Sequence, residues 1–302
     1  MAMPRTVRLW EAGARDGLQN ETAEVPTAVK VELIERLVEC GVTHIEAASF
    51  VSPKWVPRMA DSAEVMARLH RRDGVVYQAL TPNVKGIEAA VAAHVDHVAV
   101  FASASESFSR RNINCSIEES LERFRPVCAE AAKHGIKVRG FVSVVVGCPF
   151  EGPVAPHAPA RVARALMDMG CTDVGLGDTI GVGTPKQVQA MIEACAKVVP
   201  IERLGVHLHD TYGQALANIL AALEMGVSIV DSSVAGLGGC PYAPGATGNV
   251  ATEDVVYMLD GLGIDTGSDL TKLVRTAWWI SDRLGRPPVS RVARALKSKC
   301  LS

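Results

Sequence analysis

Hydrophobic periodicity switches repeatedly along this chain, from short β-branched runs to helical patterns and back, from one end to the other. Strand-like runs fall at residues 7–11, 42–47, 75–80, 95–101, 138–145, 173–176, 204–207 and 228–234. Amphipathic helix patterns between them cover residues 29–40, 117–134, 161–169, 185–199 and 214–225. Helices run into Gly41, Gly135, Gly170 and Gly226 a few residues before the next strand. A glycine there adopts the left-handed conformation that ends a helix and starts a short return loop. Thr184-Pro185 supplies a helix start with proline at the first position. Such alternation predicts a parallel sheet covered by helices. Eight βα units without a Pro-, Gly- or Ser-rich divider predict a single α/β domain, a closed (β/α)8 TIM barrel over residues 1–266. A C-terminal helical extension over 267–302 is expected to pack on it, with one helix at 270–284 and another after Pro287-Pro288. An open doubly wound sheet would carry a Gly-rich phosphate fingerprint after its first strand, but this chain reads Glu11-Ala12-Gly13-Ala14-Arg15-Asp16-Gly17.

Composition removes several function classes. With 48% hydrophobic and 21% charged residues, 302 residues support a sizeable core and exclude a disordered chain. A net charge of −2 offers no overall footprint for nucleic acid. The exception is the stretch 283–302, where six Arg or Lys stand without an acid. Eight cysteines show no C-x-x-C pair and no paired spacing, which predicts free thiols in a reducing, cytoplasmic setting. No signal-peptide core precedes the first strand, and no apolar run reaches the ~18 residues of a membrane span. Trp278 and Trp279 in the tail helix point to a packed interface, hence a homodimer or higher homo-oligomer.

In a barrel of this kind, chemistry sits just past the C-terminal ends of the strands. His207 and His209, two apart on a strand, project to one face and make half a metal site. Asp16 and the Asn249 amide could add oxygens; two nitrogens with two oxygens suit Mg²⁺ or Mn²⁺ in an open octahedral shell, and two His with one carboxylate would also suit Zn²⁺. Arg15, flanked by glycines, reads as a placed guanidinium able to stabilise developing negative charge. Glu46, within Ile45-Glu46-Ala47-Ala48, needs a partner such as Arg15 or a backbone amide. Cys240 differs from the other cysteines because it lies in a Gly-rich loop past a strand end, where a thiol can deliver a proton.

The segments 15–21 (RDGLQNE), 49–57 (SFVSPKWVP), 175–181 (GLGDTIG), 207–214 (HLHDTYGQ) and 233–242 (SVAGLGGCPY) together resemble the hydroxymethylglutaryl-CoA lyase family. The resemblance runs from Val7 to about Lys297. It implies a metal-assisted retro-Claisen cleavage of (S)-3-hydroxy-3-methylglutaryl-CoA to acetyl-CoA and acetoacetate, as in leucine degradation and ketone-body formation. It further implies Asp16, His207, His209 and Asn249 as ligands of a divalent metal, Mg²⁺ or Mn²⁺. Arg15 would bind substrate and stabilise charge, Glu46 would be an active-site glutamate, Cys240 the catalytic cysteine, Ser49 a substrate-binding residue, and His207 or Asp16 the base. Ala14 and Gly175 depart from the expected Pro and Ser. The implied partner is an acyl-CoA thioester, with Lys54, Arg110, Arg111 and the basic tail as candidate phosphate contacts. A lyase for a longer-branched 3-hydroxy-3-alkylglutaryl-CoA would keep the same residues. A condensing enzyme of the same superfamily should lack the Gly239-Cys240-Pro241-Tyr242 segment, and a non-catalytic acyl-CoA-binding relative should lack Cys240 or a metal ligand.

Overall fold

All eight strand patterns become strands, and they close on one another in parallel. The computed structural model describes residues 3–239 and 248–301. The barrel strands are β1 (Arg8–Glu11), β2 (His44–Ser49), β3 (Val76–Leu80), β4 (His97–Ser103), β5 (Lys137–Ser143), β6 (Asp173–Asp178), β7 (Leu204–Leu208) and β8 (Ile229–Ser232). Closure is made by β1, which pairs with β8 from Arg8↔Ile229 to Glu11↔Ser232 and with β2 at Glu11↔Ile45. Their helices are α1 (Thr27–Glu39), α2 (Ser62–Arg68), α3 (Val84–Ala92), α5 (Ile117–Lys133), α6 (His157–Asp168), α7 (Pro185–Ala196), α8 (Ala215–Glu224) and α9 (Thr252–Gly261), with α4 (Glu106–Ile113) inserted after β4. One hydrophobic core runs between the strands and these helices, through Leu33, Ile45, Val98, Leu166, Val206 and Val255, none of them exposed.

The four predicted helix-ending glycines take positive φ, from +67° at Gly135 to +96° at Gly170 and Gly226. Thr184 forms a capping box with Gln187, with Pro185 at the first helical position. Four helices escape a period-based reading: α2, α3, α4 and α9. α2 has only seven residues, and in α4 only Phe108 and Ser109 are buried, so neither shows a long apolar stripe. The fifth strand stops earlier than predicted, at Ser143, because Val144 turns into the left-handed region at φ +55°.

The tail forms α10 (Leu270–Arg283), α11 (Arg291–Ala295) and α12 (Lys297–Leu301). Leu273, Val274, Ala277 and Ile280 of α10 are fully buried and belong to the same core as the barrel. The two tryptophans are covered by this chain itself. Trp278 Nε1 donates to the Ala293 carbonyl at 2.8 Å, and Arg36 and Arg283 lie over the Trp279 ring. They therefore supply no argument for a subunit interface.

α1 meets the tail at its C-terminus. The Asp269 N–H donates to the Cys40 carbonyl at 2.7 Å, and Lys272 Nζ donates to the Glu39 carbonyl at 3.2 Å. Gly41, at φ +90°, lies against the Gly267 carbonyl, where a Cβ would collide. Gly41→Ala should lower the unfolding free energy by about 1–3 kcal/mol, read as a lower urea midpoint at unchanged slope. Gly135→Ala, whose Cβ would meet nothing within 4 Å, should cost less; equal losses at both positions would show that the tail contact contributes nothing.

Candidate active site

β1 runs directly into a π-helical turn, Gly13–Gly17, that carries Arg15 and Asp16. Wide turns of this kind re-aim side chains, often at functional sites. Two glycines let the turn sit close to its neighbours: a Cβ on Gly13 would lie 2.6 Å from Glu11 Oε1, and one on Gly17 2.7 Å from the Leu237 Cβ. Within the turn, Arg15 Nη1 donates to Asp16 Oδ1 at 2.9 Å, while Nη2 donates to Glu46 Oε2, on β2, at 2.6 Å. Burial disfavours the charged arginine, but the Glu46 and Asp16 carboxylates outweigh it and hold Arg15 protonated.

His207 lies on β7 and His209 just past its end, where His209 bridges Asn249. Their rings lie 5.4 Å apart. Asp16, His207 and His209 offer one ligand atom each, all within 4.8 Å of one another. Asn249 Nδ2 donates to Asp16 Oδ2 at 2.8 Å, bringing the fourth predicted residue against the same carboxylate. Burial resists ionisation of Asp16, yet Arg15 and the two histidines outweigh it and hold its carboxyl at about 2. Burial, with His207 beside it, depresses His209 to about 4. For His207 burial works the same way, but the Asp231 carboxylate outweighs it and raises the ring above its ordinary value. His209 Nδ1 is buried with no hydrogen-bond partner among the described residues. An ionised carboxylate, a neutral imidazole and a second imidazole converging on one point fit a divalent cation.

These groups form the floor of a cavity of about 1060 Å³. Its walls include Leu80, Phe101, Phe141 and Val142, and its rim Trp55, Arg110, Arg111 and Arg123. Of the candidate phosphate contacts, Arg110 and Arg111 line this cavity, whereas Lys54 and the tail cations do not. Several tail cations have partners nearby: Arg286 pairs with Glu21, Arg294 donates to the Pro288 carbonyl, and Lys297 lies over Trp278. Ser49 is buried at the end of β2, in register with the cavity-lining Leu80, and its Oγ accepts the Val51 N–H at 3.4 Å. Asp178, in one of the matching segments, accepts the N–H groups of Val182 and Gly183 and serves the backbone. Cys240 lies outside the described residues.

Sequence reasoning missed Asp231 and Arg139, which stand behind His207 inside the barrel. Asp231 Oδ2 lies 3.1 Å from His207 Nδ1, and Arg139 Nη2 donates to Asp231 Oδ1 at 2.8 Å. A lone charge in Val138-Arg139-Gly140-Phe141-Val142 was the available signal.

Comparison with known proteins gives the family. The sequence model of the HMGL-like family matches residues 6–280. A curated relative from Arabidopsis thaliana, named hydroxymethylglutaryl-CoA lyase, mitochondrial, is 60% identical over 98% of this chain, which spans 64% of that relative's length. A relative from Pseudomonas aeruginosa, named 3-hydroxy-3-isohexenylglutaryl-CoA/hydroxy-methylglutaryl-CoA lyase, is 58% identical over 99% of this chain and 100% of its own length. A crystal structure of hydroxymethylglutaryl-CoA lyase from Pseudomonas aeruginosa superposes with a TM-score of 0.97 at 57% identity, covering 99% of this chain and all of that one.

Two buried carboxyls secure the turn that leads from β8 over the site. Glu11 accepts the Gly13 and Val234 N–H groups at 2.8 and 2.9 Å and the Thr252 hydroxyl. Glu253 Oε1 accepts the N–H of Ala235, a residue at φ +61°. Burial outweighs these bonds and lifts Glu11 from 4.5 to about 7 and Glu253 to about 8. The folded chain therefore prefers both groups protonated. Their contribution to stability is full below about 4.5 and is lost as pH rises through about 7 and 8. Glu253→Gln, which keeps the acceptor and cannot ionise, should match the parent near pH 5. By pH 9 it should be more stable by on the order of 2–4 kcal/mol. Parallel denaturation midpoints across that range would refute the assignment.

Proposed function

The chain belongs to the HMGL-like family, and from that premise we propose that it is a carbon–carbon lyase cleaving (S)-3-hydroxy-3-methylglutaryl-CoA to acetyl-CoA and acetoacetate. One observation carries this reading: Arg15 meets the Asp16–His207–His209 cluster on the floor of the large cavity. Relatives of 58–60% identity that match 98–99% of this chain bear that lyase's name, one of them jointly with 3-hydroxy-3-isohexenylglutaryl-CoA lyase. The catalytic barrel is residues 1–266, and 267–302 its docked extension, whose α10 buries Leu273 and Ile280 against it.

Asp16, His207, His209 and Asn249 would hold a divalent cation, Mg²⁺ or Mn²⁺, given their mixed nitrogen and oxygen donors. Such a cation, when bound, lowers the pKa of the substrate's C3 hydroxyl and orients it. The chain's own groups do the rest. His207 or Asp16 takes the hydroxyl proton as the C2–C3 bond breaks. The electron pair moves onto the thioester carbonyl, and Arg15, kept charged between Glu46 and Asp16, stabilises that enolate oxygen. Glu46 holds the guanidinium in place at 2.6 Å. Cys240 returns a proton to the C2 carbanion, completing acetyl-CoA. The Arg110, Arg111 and Arg123 side chains on the rim suit the phosphates of an acyl-CoA thioester. Acetoacetate as product places the reaction in leucine degradation and ketone-body formation. Seven described cysteines are free and buried, in keeping with a cytoplasmic protein. No helix among the described residues is long and apolar enough to cross a membrane.

The test is acetyl-CoA release from hydroxymethylglutaryl-CoA with Mg²⁺ or Mn²⁺ present, and its loss after verified chelation. Undiminished cleavage without metal would remove the cation from the reading. Cys240→Ser should lower turnover by roughly 10²- to 10⁴-fold at unchanged Mn²⁺ affinity; near-normal turnover would remove the cysteine. A longer-branched 3-hydroxy-3-alkylglutaryl-CoA assayed in parallel should be cleaved more slowly, and faster cleavage would reassign the substrate.

A further inference from the structure

Arg139 occupies the centre of the barrel with no exposure at all. Its guanidinium is fixed on every side. Nε donates to Asp173 Oδ1 at 2.6 Å and Nη2 to Asp231 Oδ1 at 2.8 Å. The guanidinium carbon lies 4.8 Å from the Trp10 ring centroid and 4.7 Å from that of Phe141. Two strands give up side chains to admit it. A Cβ on Gly205 would come within 3.0 Å of Arg139 Nη2, and one on Gly175 within 2.6 Å of the Phe141 ring. These two glycines face each other in register on β6 and β7.

A structural arginine needs one carboxylate to neutralise it, and here there are two. The second carboxylate has an oxygen left over, and that oxygen meets an imidazole: Asp231 Oδ2 lies 3.1 Å from His207 Nδ1. Strand register sets this up, since Asp231 of β8 lies directly beside His207 of β7 and Trp10 of β1. Phe141 closes the remaining side of the ring, edge to face at 6.0 Å. A carboxylate can only accept, so the neutral His207 ring must carry its proton on Nδ1 and offer the Nε2 lone pair to the site.

We propose that Arg139 and Asp231 are positioning residues: Arg139, locked between Asp173, Trp10 and Phe141, fixes the Asp231 carboxylate, which in turn fixes the tautomer and orientation of His207. The effect on cation affinity rests on the assignment of Asp16, His207 and His209 as cation ligands; the effect on the tautomer does not.

Two measurements test it. In protein labelled with ¹⁵N-histidine at pH 9, with His207 assigned by comparison with His207→Gln, the ring should show the Nδ1–H tautomer. An Nε2–H tautomer in the parent protein overturns the proposal, whether or not Asp231→Asn and Arg139→Lys fold. Mn²⁺ alone is then titrated calorimetrically into the parent, Asp231→Asn and Arg139→Lys, each first checked for parental circular dichroism. The dissociation constant should rise by about 10- to 100-fold in Asp231→Asn and by a smaller factor in Arg139→Lys, with mixed tautomers at His207 in both. Affinity within twofold of the parent in folded Asp231→Asn overturns the proposal. If the parent itself binds no Mn²⁺, the cation assignment fails, and the tautomer alone decides the positioning role.

Discussion

A parallel sheet built from βα units has two unpaired edges until its first and last strands find each other. Here that contact is β1 with β8, in register over four residue pairs. Everything at the candidate site depends on it. Asp16, just past β1, reaches Asn249, 233 positions away in sequence. Trp10 comes to lie beside Asp231, and Glu11 reaches Val234 and Thr252. Parallel closure also sends every strand C-terminus to one mouth, so Arg15 after β1, Glu46 on β2 and His207 on β7 converge without any long loop to carry them.

Closure brings a cost, because the interior then holds charges far from water. Arg15, Glu46, Arg139, Asp173 and Asp231 are all buried. Taking such groups out of water costs several kcal/mol each, and pairing at best offsets that. An apolar plug would be no less stable, so stability does not explain them. Their geometry does: Arg15 and Arg139 each contact two carboxylates, and each trio leads to a residue of the cavity floor, Asp16 in one case and His207 in the other.

The barrel was legible because periodicity is a local property. Each strand pattern and each helix-ending glycine can be read within a dozen residues, and Gly41, Gly135, Gly170 and Gly226 all take the expected conformation. Candidate site residues were legible for a different reason: polar side chains at strand ends stand out against small apolar neighbours, as Arg15-Asp16 and His207-Leu208-His209 do. What stayed hidden was pairing. That the Ser49 hydroxyl accepts the Val51 N–H follows from the backbone path of residues 49–51, which no spacing encodes. That Arg286, Arg294 and Lys297 meet Glu21, Pro288 and Trp278 depends on how the tail docks. That Arg139 serves His207 through Asp231 depends on three-strand register, which sequence distance conceals.

One strand shows how these levels connect. Alternation along β1 sends Trp10 into the barrel and Glu11 outward, and each supports the same mouth from its own side. Inward, Trp10 stacks on the guanidinium that holds Asp231, and Asp231 holds His207. Outward, Glu11 ties the start of its own π-helical turn to the turn after β8 and to α9. The electrostatics of the two sides are opposite. Inside, Arg139 and His207 hold the Asp231 carboxyl below its ordinary range; outside, burial without a cation favours the protonated form of Glu11 and Glu253. A slip of one residue in β1 would take Trp10 out of its place beside Asp231, putting either the Glu11 carboxyl or Leu9 under Arg139. The register of this single short strand therefore fixes both the fold's closure and the floor on which Arg15 and Asp16 are presented.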